Sequence, residues 1–113
     1  MRRRHRLRNA SDFVLLRQEG QRYYHPMLVL VVRANGGPTS RFGFSAGRQV
    51  GKATARNRAK RLMRENVRQV TDRIAAGWDC LFIARRGAGE ATLDEISLAI
   101  NQMLARAQLL SEN

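Results

Sequence analysis

A basic helix-forming segment in the middle of the chain constrains the fold more than any other feature. At roughly 100° per residue, its apolar side chains share one arc, which is formed by Ala55, Ala59, Leu62, Met63, Val67, Val70 and Ile74. The opposite arc carries amide and cationic side chains, namely Asn57, Arg58, Lys60, Arg61, Arg64 and Arg68. This pattern predicts an amphipathic helix from about Thr54 to Ala76, ended by Gly77, with one face on a core and the other facing an anionic ligand.

The cationic face lacks the acidic residues that usually accompany it on a solvated helix. No Asp or Glu occurs between Glu19 and Glu65, whereas exposed helices commonly alternate the two charges in i,i+4 pairs. The 113 residues include 21 Lys and Arg against 9 Asp and Glu, giving a net charge of +12. So large an excess in a small protein favours a nucleic acid as the partner.

The length predicts a single domain, residues 1–113, which begins with a basic arm at residues 1–8. No stretch approaches the roughly 20 apolar residues of a membrane span, so we expect a cytoplasmic protein without a membrane partner. Cys80 is the single cysteine and lies in an apolar run, which predicts a buried thiol. The carboxylates and the two histidines are dispersed, so we assign no catalytic residue, metal ligand or cofactor.

The remaining segments predict an α/β (α+β) two-layer sandwich. Asn9 or Ser11 can cap a short helix that ends near Gly20, and Thr92 with Glu95 has capping-box spacing before a last helix that extends towards Leu110. Strands are expected at residues 27–32, 41–45 and 79–84, with 21–24 as a further candidate. We expect the strands at 27–32 and 41–45 to run antiparallel. The order helix, strand, strand, helix, strand, helix then predicts a mixed, mostly antiparallel sheet packed by helices.

Residues 55–65, ARNRAKRLMRE, resemble the Arg-Asn-Arg signature of the bacterial ribonuclease P protein component. Further matches follow in the family's order at residues 5–7, 12–13, 41–45, 50–53 and 82–85. The resemblance implies a left-handed crossover around the basic helix, although parallel crossovers are almost always right-handed. It also implies a subunit of a ribonucleoprotein that removes the 5′ leader of precursor tRNA, while the RNA subunit performs catalysis with magnesium. The expected partners are that RNA and precursor tRNA, with no protein partner.

The resemblance implies two sets of contacts. Arg56, Asn57 and Arg58 would face the catalytic RNA, and the wider RNA-binding set adds Arg48, Lys52, Lys60, Arg61, Arg64 and Arg68. Guanidinium forks suit phosphates, and the Asn57 amide can both donate and accept hydrogen bonds. The second set would form a cleft for the single-stranded leader between the first helix and the sheet, with Phe13 as a wall, Val29, Val31 and Ser45 as the floor, and Arg17, Lys60 and Arg64 along the path. Arg17 stands where family members often have a second aromatic residue, so the leader contact is expected to be more electrostatic.

Two other functions remain open on the sequence alone. A ribosomal or RNA-assembly protein could carry the same charge, and only the length and order of the motifs argue against it. A DNA-binding helix-turn-helix protein would need a second short helix beside the basic one, whereas its neighbours are predicted strands. Burial in the core is as plausible for Phe13 as ligand contact, and Phe42 and Phe44 are expected to be core residues.

Overall fold

The computed structural model describes residues 2–111, and within this range the chain forms three α-helices and one four-stranded sheet. The helices are α1 (Ala10–Glu19), α2 (Ala53–Val70) and α3 (Leu93–Arg106). The strands are β1 (Gln21–Tyr24), β2 (Leu28–Ala34), β3 (Arg41–Ala46) and β4 (Trp78–Ala84). The predicted mixed α+β class is confirmed, and the candidate strand at 21–24 is present.

The sheet has the order β1-β2-β4-β3, in which the β3–β4 pair alone is parallel. Strands β2 and β3 therefore run in opposite directions, as predicted, but β4 lies between them. Helix α2 connects β3 to β4 and so forms the expected crossover, whose left hand stays a prediction. This connection places the basic helix across the sheet next to β3, which is the last strand on that side.

Alternation along the buried strands sends side chains to two faces of the sheet. Leu30 and Phe82 lie in the larger apolar cluster with residues of α2 and α3, whereas Val31 and Leu81 pack against Leu16 of α1 on the other face. The two-layer arrangement thus holds for α2 and α3. Helix α1 adds a partial third layer, which the sequence did not indicate.

Helix α2 ends earlier than predicted. The Thr71 hydroxyl donates to the Val67 carbonyl at 2.7 Å, and residues 71–73 form a 3-10 turn. Such a side-chain bond to the preceding turn competes with helix continuation. Ile74 is then extended (φ −90°, ψ 134°) and pairs with Leu110 in an isolated bridge. The predictions that α2 reaches Ala76 and that α3 reaches Leu110 are therefore both wrong.

Two local predictions agree with the structure. The Thr92 hydroxyl accepts from the Glu95 amide at 3.1 Å and the Glu95 carboxylate accepts from the Thr92 amide at 2.9 Å, which completes a capping box. Cys80 is buried, and burial raises the pKa of its thiol, so it is a core residue rather than a nucleophile. None of the helices within residues 2–111 is long and apolar enough to cross a membrane.

The basic arm is docked on the sheet. Arg6 forms a parallel bridge with Phe42, and the Leu7 amide donates to the Phe42 carbonyl at 2.9 Å. The Leu7 side chain is buried, and His5 Nδ1 lies 2.9 Å from the Ser40 carbonyl oxygen. The arm therefore covers the outer edge of β3 and brings its arginines next to α2.

Candidate nucleic-acid interface

Four basic residues of α2 recur at every fourth position and form what we call the basic row: Arg56, Lys60, Arg64 and Arg68. Residues four apart in a helix lie one above the other on the same face. The opposite face places Ala59, Met63 and Val67 in the core, together with Asn66, which is also buried. Burial of this apolar stripe fixes the rotation of α2 and so directs the row outward, as the sequence pattern predicted.

Most of the basic row is free of acidic partners within the protein. The ion pairs of residues 2–111 join Arg41 to Asp12 and Asp79, Arg33 to Glu19, and Arg68 to Glu65. The hydrogen bond from Arg68 lowers the pKa of the exposed Glu65 carboxyl. No carboxylate in this part of the chain pairs with the three remaining members of the row, so their charges are available to a ligand.

Arg64 is held over an aromatic ring rather than an acid. Its guanidinium carbon lies 5.6 Å from the centroid of the Phe44 ring, within cation–π range. Phe44 in turn stacks on the fully buried Phe82, with centroids 5.6 Å apart and an interplanar angle of 14°. The core thus supports the position of Arg64 while leaving its N–H groups exposed.

A cleft of about 410 Å³ begins at Arg64 and crosses the edge of β3, and we call it the arm cleft. Its wall and rim residues are Arg6, Arg8, Phe13, Gly43, Phe44 and Arg64. Phe13 lies against Gly43 so closely that a Cβ at Gly43 would be 2.8 Å from a ring carbon. The cleft therefore combines one aromatic wall with arginines from both the arm and α2.

A second cleft of about 590 Å³ lies between the start of the arm and the end of α2. It is lined by Arg2, Arg4, His5, Arg68, Thr71 and Asp72. Together the two clefts flank the arm, and the basic row forms their common side at Arg64 and Arg68. The two clefts therefore place arginines of the arm beside the last two turns of α2.

The structure places some of the predicted cleft residues elsewhere. Phe13 and Arg64 meet in the arm cleft, and Lys60 lies one turn before Arg64. Val31 is fully buried and Val29 is 9% exposed, because both pack with Leu16 of α1, and neither lines the arm cleft; their role as a floor for the leader stays a prediction. Ser45 is half-buried on β3, but β4 separates it from β2.

Arg17 is exposed on α1 and does not line the arm cleft. Its backbone carbonyl accepts a hydrogen bond from the Arg22 guanidinium at 3.2 Å. Arg17 lies one turn after Phe13 on α1, and its backbone also contacts the start of β1. A role for Arg17 in binding the leader stays a prediction.

The remaining residues predicted to bind RNA lie just before α2 or in its first half. Arg48 belongs to a short 3-10 turn, Lys52 is the N-cap of α2, and both are exposed, as are Asn57 and Arg61. Arg58 differs from them, because its Nη1 donates to the Gly89 carbonyl at 3.2 Å. Arg58 therefore holds the turn after β4 against α2 and has its other N–H groups left for a ligand.

Sequence reasoning missed the arm as part of the site. Gly43, Arg6 and Arg8 line the arm cleft, with buried Leu7 between the two arginines. The alternation of charged and apolar residues at 6–8 is the period of a strand, and that signal could have predicted that the arm adds to the sheet. Gly43 between Phe42 and Phe44 likewise marks a place where another group approaches the backbone closely.

Comparison with known proteins identifies the family to which this surface belongs. The family model described as Ribonuclease P matches residues 1–108. The chain belongs to the ribonuclease P protein family. It is 40% identical over 109 residues to the ribonuclease P protein component of Herpetosiphon aurantiacus, a match that covers 96% of this chain and 89% of the relative.

Solved structures of ribonuclease P proteins share the fold. The Thermotoga maritima protein superposes with a TM-score of 0.81 at 32% identity, covering 89% of this chain and 96% of that one. The Staphylococcus aureus protein gives a TM-score of 0.86 at 26% identity, covering 95% and 98% of the two chains. The fold is thus that of the ribonuclease P proteins, and membership of this family implies an RNA partner in a ribonucleoprotein. The alternative prediction of a helix-turn-helix protein is wrong, because β3 and β4 precede and follow the α2 region.

Proposed function

We propose that this chain binds the catalytic RNA of ribonuclease P through α2 and holds the 5′ leader of precursor tRNA in the arm cleft. In this proposal the RNA subunit cleaves the substrate with its own magnesium ions, and the protein contributes binding and position. The observation that carries the proposal is the continuity between the basic row and a cleft with an aromatic wall, joined at Arg64. The cytoplasm is the proposed location.

The RNA-facing surface acts chiefly by charge. Arg56 and Lys60, with the exposed residues Lys52 and Arg61, neutralise phosphates without reading bases, and each neutralised phosphate releases condensed counterions. Asn57 adds a donor and an acceptor for a base edge or a 2′-hydroxyl. Because cations from the protein replace counterions between crowded phosphates, the ribonucleoprotein should fold and act at lower magnesium than the RNA alone.

The arm cleft suits a single strand rather than a duplex. Unpaired bases bind to stacking surfaces beside a basic rim, and here Phe13 supplies the surface while Arg6, Arg8 and Arg64 supply the rim. Mature tRNA lacks the leader. Contacts in this cleft therefore stabilise the complex with substrate and leave product affinity unchanged, which favours release of product.

Substitution of Lys60 and Arg64 by Ala tests the leader assignment. We expect the double variant, assembled with its RNA subunit, to bind precursor tRNA about 30-fold more weakly, because the two charge-assisted contacts contribute on the order of 1 kcal/mol each. Affinity for mature tRNA should change less than about twofold. Equilibrium binding of both tRNAs to the assembled ribonucleoprotein measures the difference.

The matched control replaces Arg22 and Arg106 with Ala, which removes the same charge near β1, at the opposite edge of the sheet from β3. This control should leave the ratio of the two affinities unchanged. Equal losses for precursor and mature tRNA in the Lys60/Arg64 variant would contradict a leader site at this position.

A further inference from the structure

One arginine ties α1 to two strands of the sheet. The Arg41 guanidinium donates to both carboxylate oxygens of Asp79, from Nε at 2.9 Å and from Nη2 at 2.7 Å. Its Nη1 donates to Asp12 of α1 at 3.2 Å. Asn35 completes the group by donating to Asp79 Oδ1 at 3.0 Å. We call Asp12, Asn35, Arg41 and Asp79 the Arg41 clamp.

On the sheet side of the clamp, Arg41 and Asp79 form a well-shielded bidentate ion pair. Arg41 and Asp79 are register partners on β3 and β4, and the Asp79 side chain is 6% exposed. The hydrogen bond to Asp79 raises the pKa of the Arg41 guanidinium, with further contributions from the charges of both carboxylates. A bidentate arginine pair of this kind fixes direction as well as distance. It leaves Nη1 pointing at the first turn of α1.

Helix α1 has few other attachments. Within α1, all of which is described, Leu16 alone is buried, and Asn9 makes no side-chain cap. At its far end, Glu19 pairs with Arg33 at 3.3 Å, but these side chains are 56% and 35% exposed, and exposed pairs contribute little. The Asp12–Arg41 pair is the better shielded one, with side chains 24% and 31% exposed.

Phe13 follows Asp12 directly, so the clamp acts one residue away from the wall of the arm cleft. Gly43 lies two residues after Arg41 on the same strand and therefore on the same face. The close approach of the Phe13 ring to Gly43 depends on where α1 sits along this face. A shift of the first turn of α1 would move the ring and change the width of the cleft.

We propose that the Arg41 clamp is a positioning device for leader recognition, in which Asp12 and Arg41 set the place of Phe13 and so the preference for precursor over mature tRNA. Arg41 and Asp12 touch no substrate in this role. The inference rests on the proposed function, because it assigns the preference to the arm cleft.

The experiment compares Asp12→Ala with Glu19→Ala, assembled with the RNA subunit. Both variants remove one negative charge from the same helix, so any general effect of charge on RNA affinity is shared. We expect Asp12→Ala to lower the ratio of precursor to mature tRNA affinity by about fivefold, the factor that one net hydrogen bond contributes. Asp12→Asn, which keeps an acceptor for Arg41, should restore part of the ratio, and Glu19→Ala should leave it unchanged.

A readout independent of tRNA is the chemical shift of the Gly43 α-protons, which depends on the position of the Phe13 ring. It should change in Asp12→Ala and stay the same in Glu19→Ala. A second variant, Gly43→Ala, displaces the ring directly while the clamp is intact, and should lower the affinity ratio in the same way.

An unchanged Gly43 shift and an unchanged affinity ratio in Asp12→Ala would overturn the inference. A lower melting temperature with an unchanged ratio would overturn it as well, since it would show a role in stability alone. The proposed function fails separately if the wild-type complex shows no preference for precursor over mature tRNA. The inference would then also be wrong, even if the Gly43 chemical shift changes in Asp12→Ala.

Discussion

Replacing Arg56, Lys60 and Arg64 together with Ala is expected to weaken binding to the ribonuclease P RNA about 100-fold at roughly 0.15 M salt, since three lost contacts of about 1 kcal/mol each add up. The three charges have no carboxylate partner within residues 2–111, so their removal leaves no unpaired acid behind. Alanine also keeps a high helix propensity, and the helix should persist.

The salt dependence of RNA binding distinguishes the loss of charged contacts from general damage to the fold. The slope of the logarithm of the binding constant against the logarithm of salt concentration should fall by about two to three, because each phosphate contact contributes roughly 0.7 to 0.9. A control with Ala at Arg22, Arg33 and Arg106 removes three charges from β1, β2 and the end of α3. If RNA affinity and the salt-dependence slope fall equally in both triple variants, the basic row contributes no more to RNA binding than other surface arginines, which would contradict the account.

Truncating Phe82 to Ala should destabilise the protein by about 3 to 5 kcal/mol, a large part of the roughly 5 to 15 kcal/mol that small domains have. Phe82 is fully buried on β4 between the sheet and α2, and its ring stacks on Phe44. Loss of the ring leaves a cavity and removes the support beneath Arg64. Urea unfolding followed by circular dichroism measures the change.

Leu98 offers a matched control for the core prediction. Its side chain on α3 is 61% exposed, so Leu98→Ala should change the free energy of unfolding by less than about 0.5 kcal/mol. A cost below about 1 kcal/mol for Phe82→Ala would contradict the packing described for this face.

Local chemistry made much of the fold predictable. The continuous apolar runs of β2 and β4, and the capping box at Thr92, are determined by nearby residues, and the structure agrees with both. The order of strands is different, because the pairing of β2 with β4 rather than β3 is decided by how α2 packs across the sheet. No pattern within β2 or β3 carries that information.

In the site, too, local features could be predicted from the sequence and long-range contacts could not. The basic row follows from four-residue spacing in one helix, and Phe13 was named for the family match. Val29 and Val31 lie outside the arm cleft, because the strand pattern predicts two faces without indicating that α1 covers one of them. The contribution of Arg6 and Arg8 depends on a bridge between residues 36 positions apart, Arg6 and Phe42, which sequence periodicity cannot show.

The most direct test of the account is cleavage of precursor tRNA by the ribonuclease P RNA at low magnesium, with and without this protein. We expect the protein to restore cleavage under conditions where the RNA alone is nearly inactive, and the Arg56/Lys60/Arg64 variant to fail at the same protein concentration. Tight binding of the wild-type protein to the RNA without any gain in cleavage would contradict the proposed role and favour a ribosomal or RNA-assembly function instead.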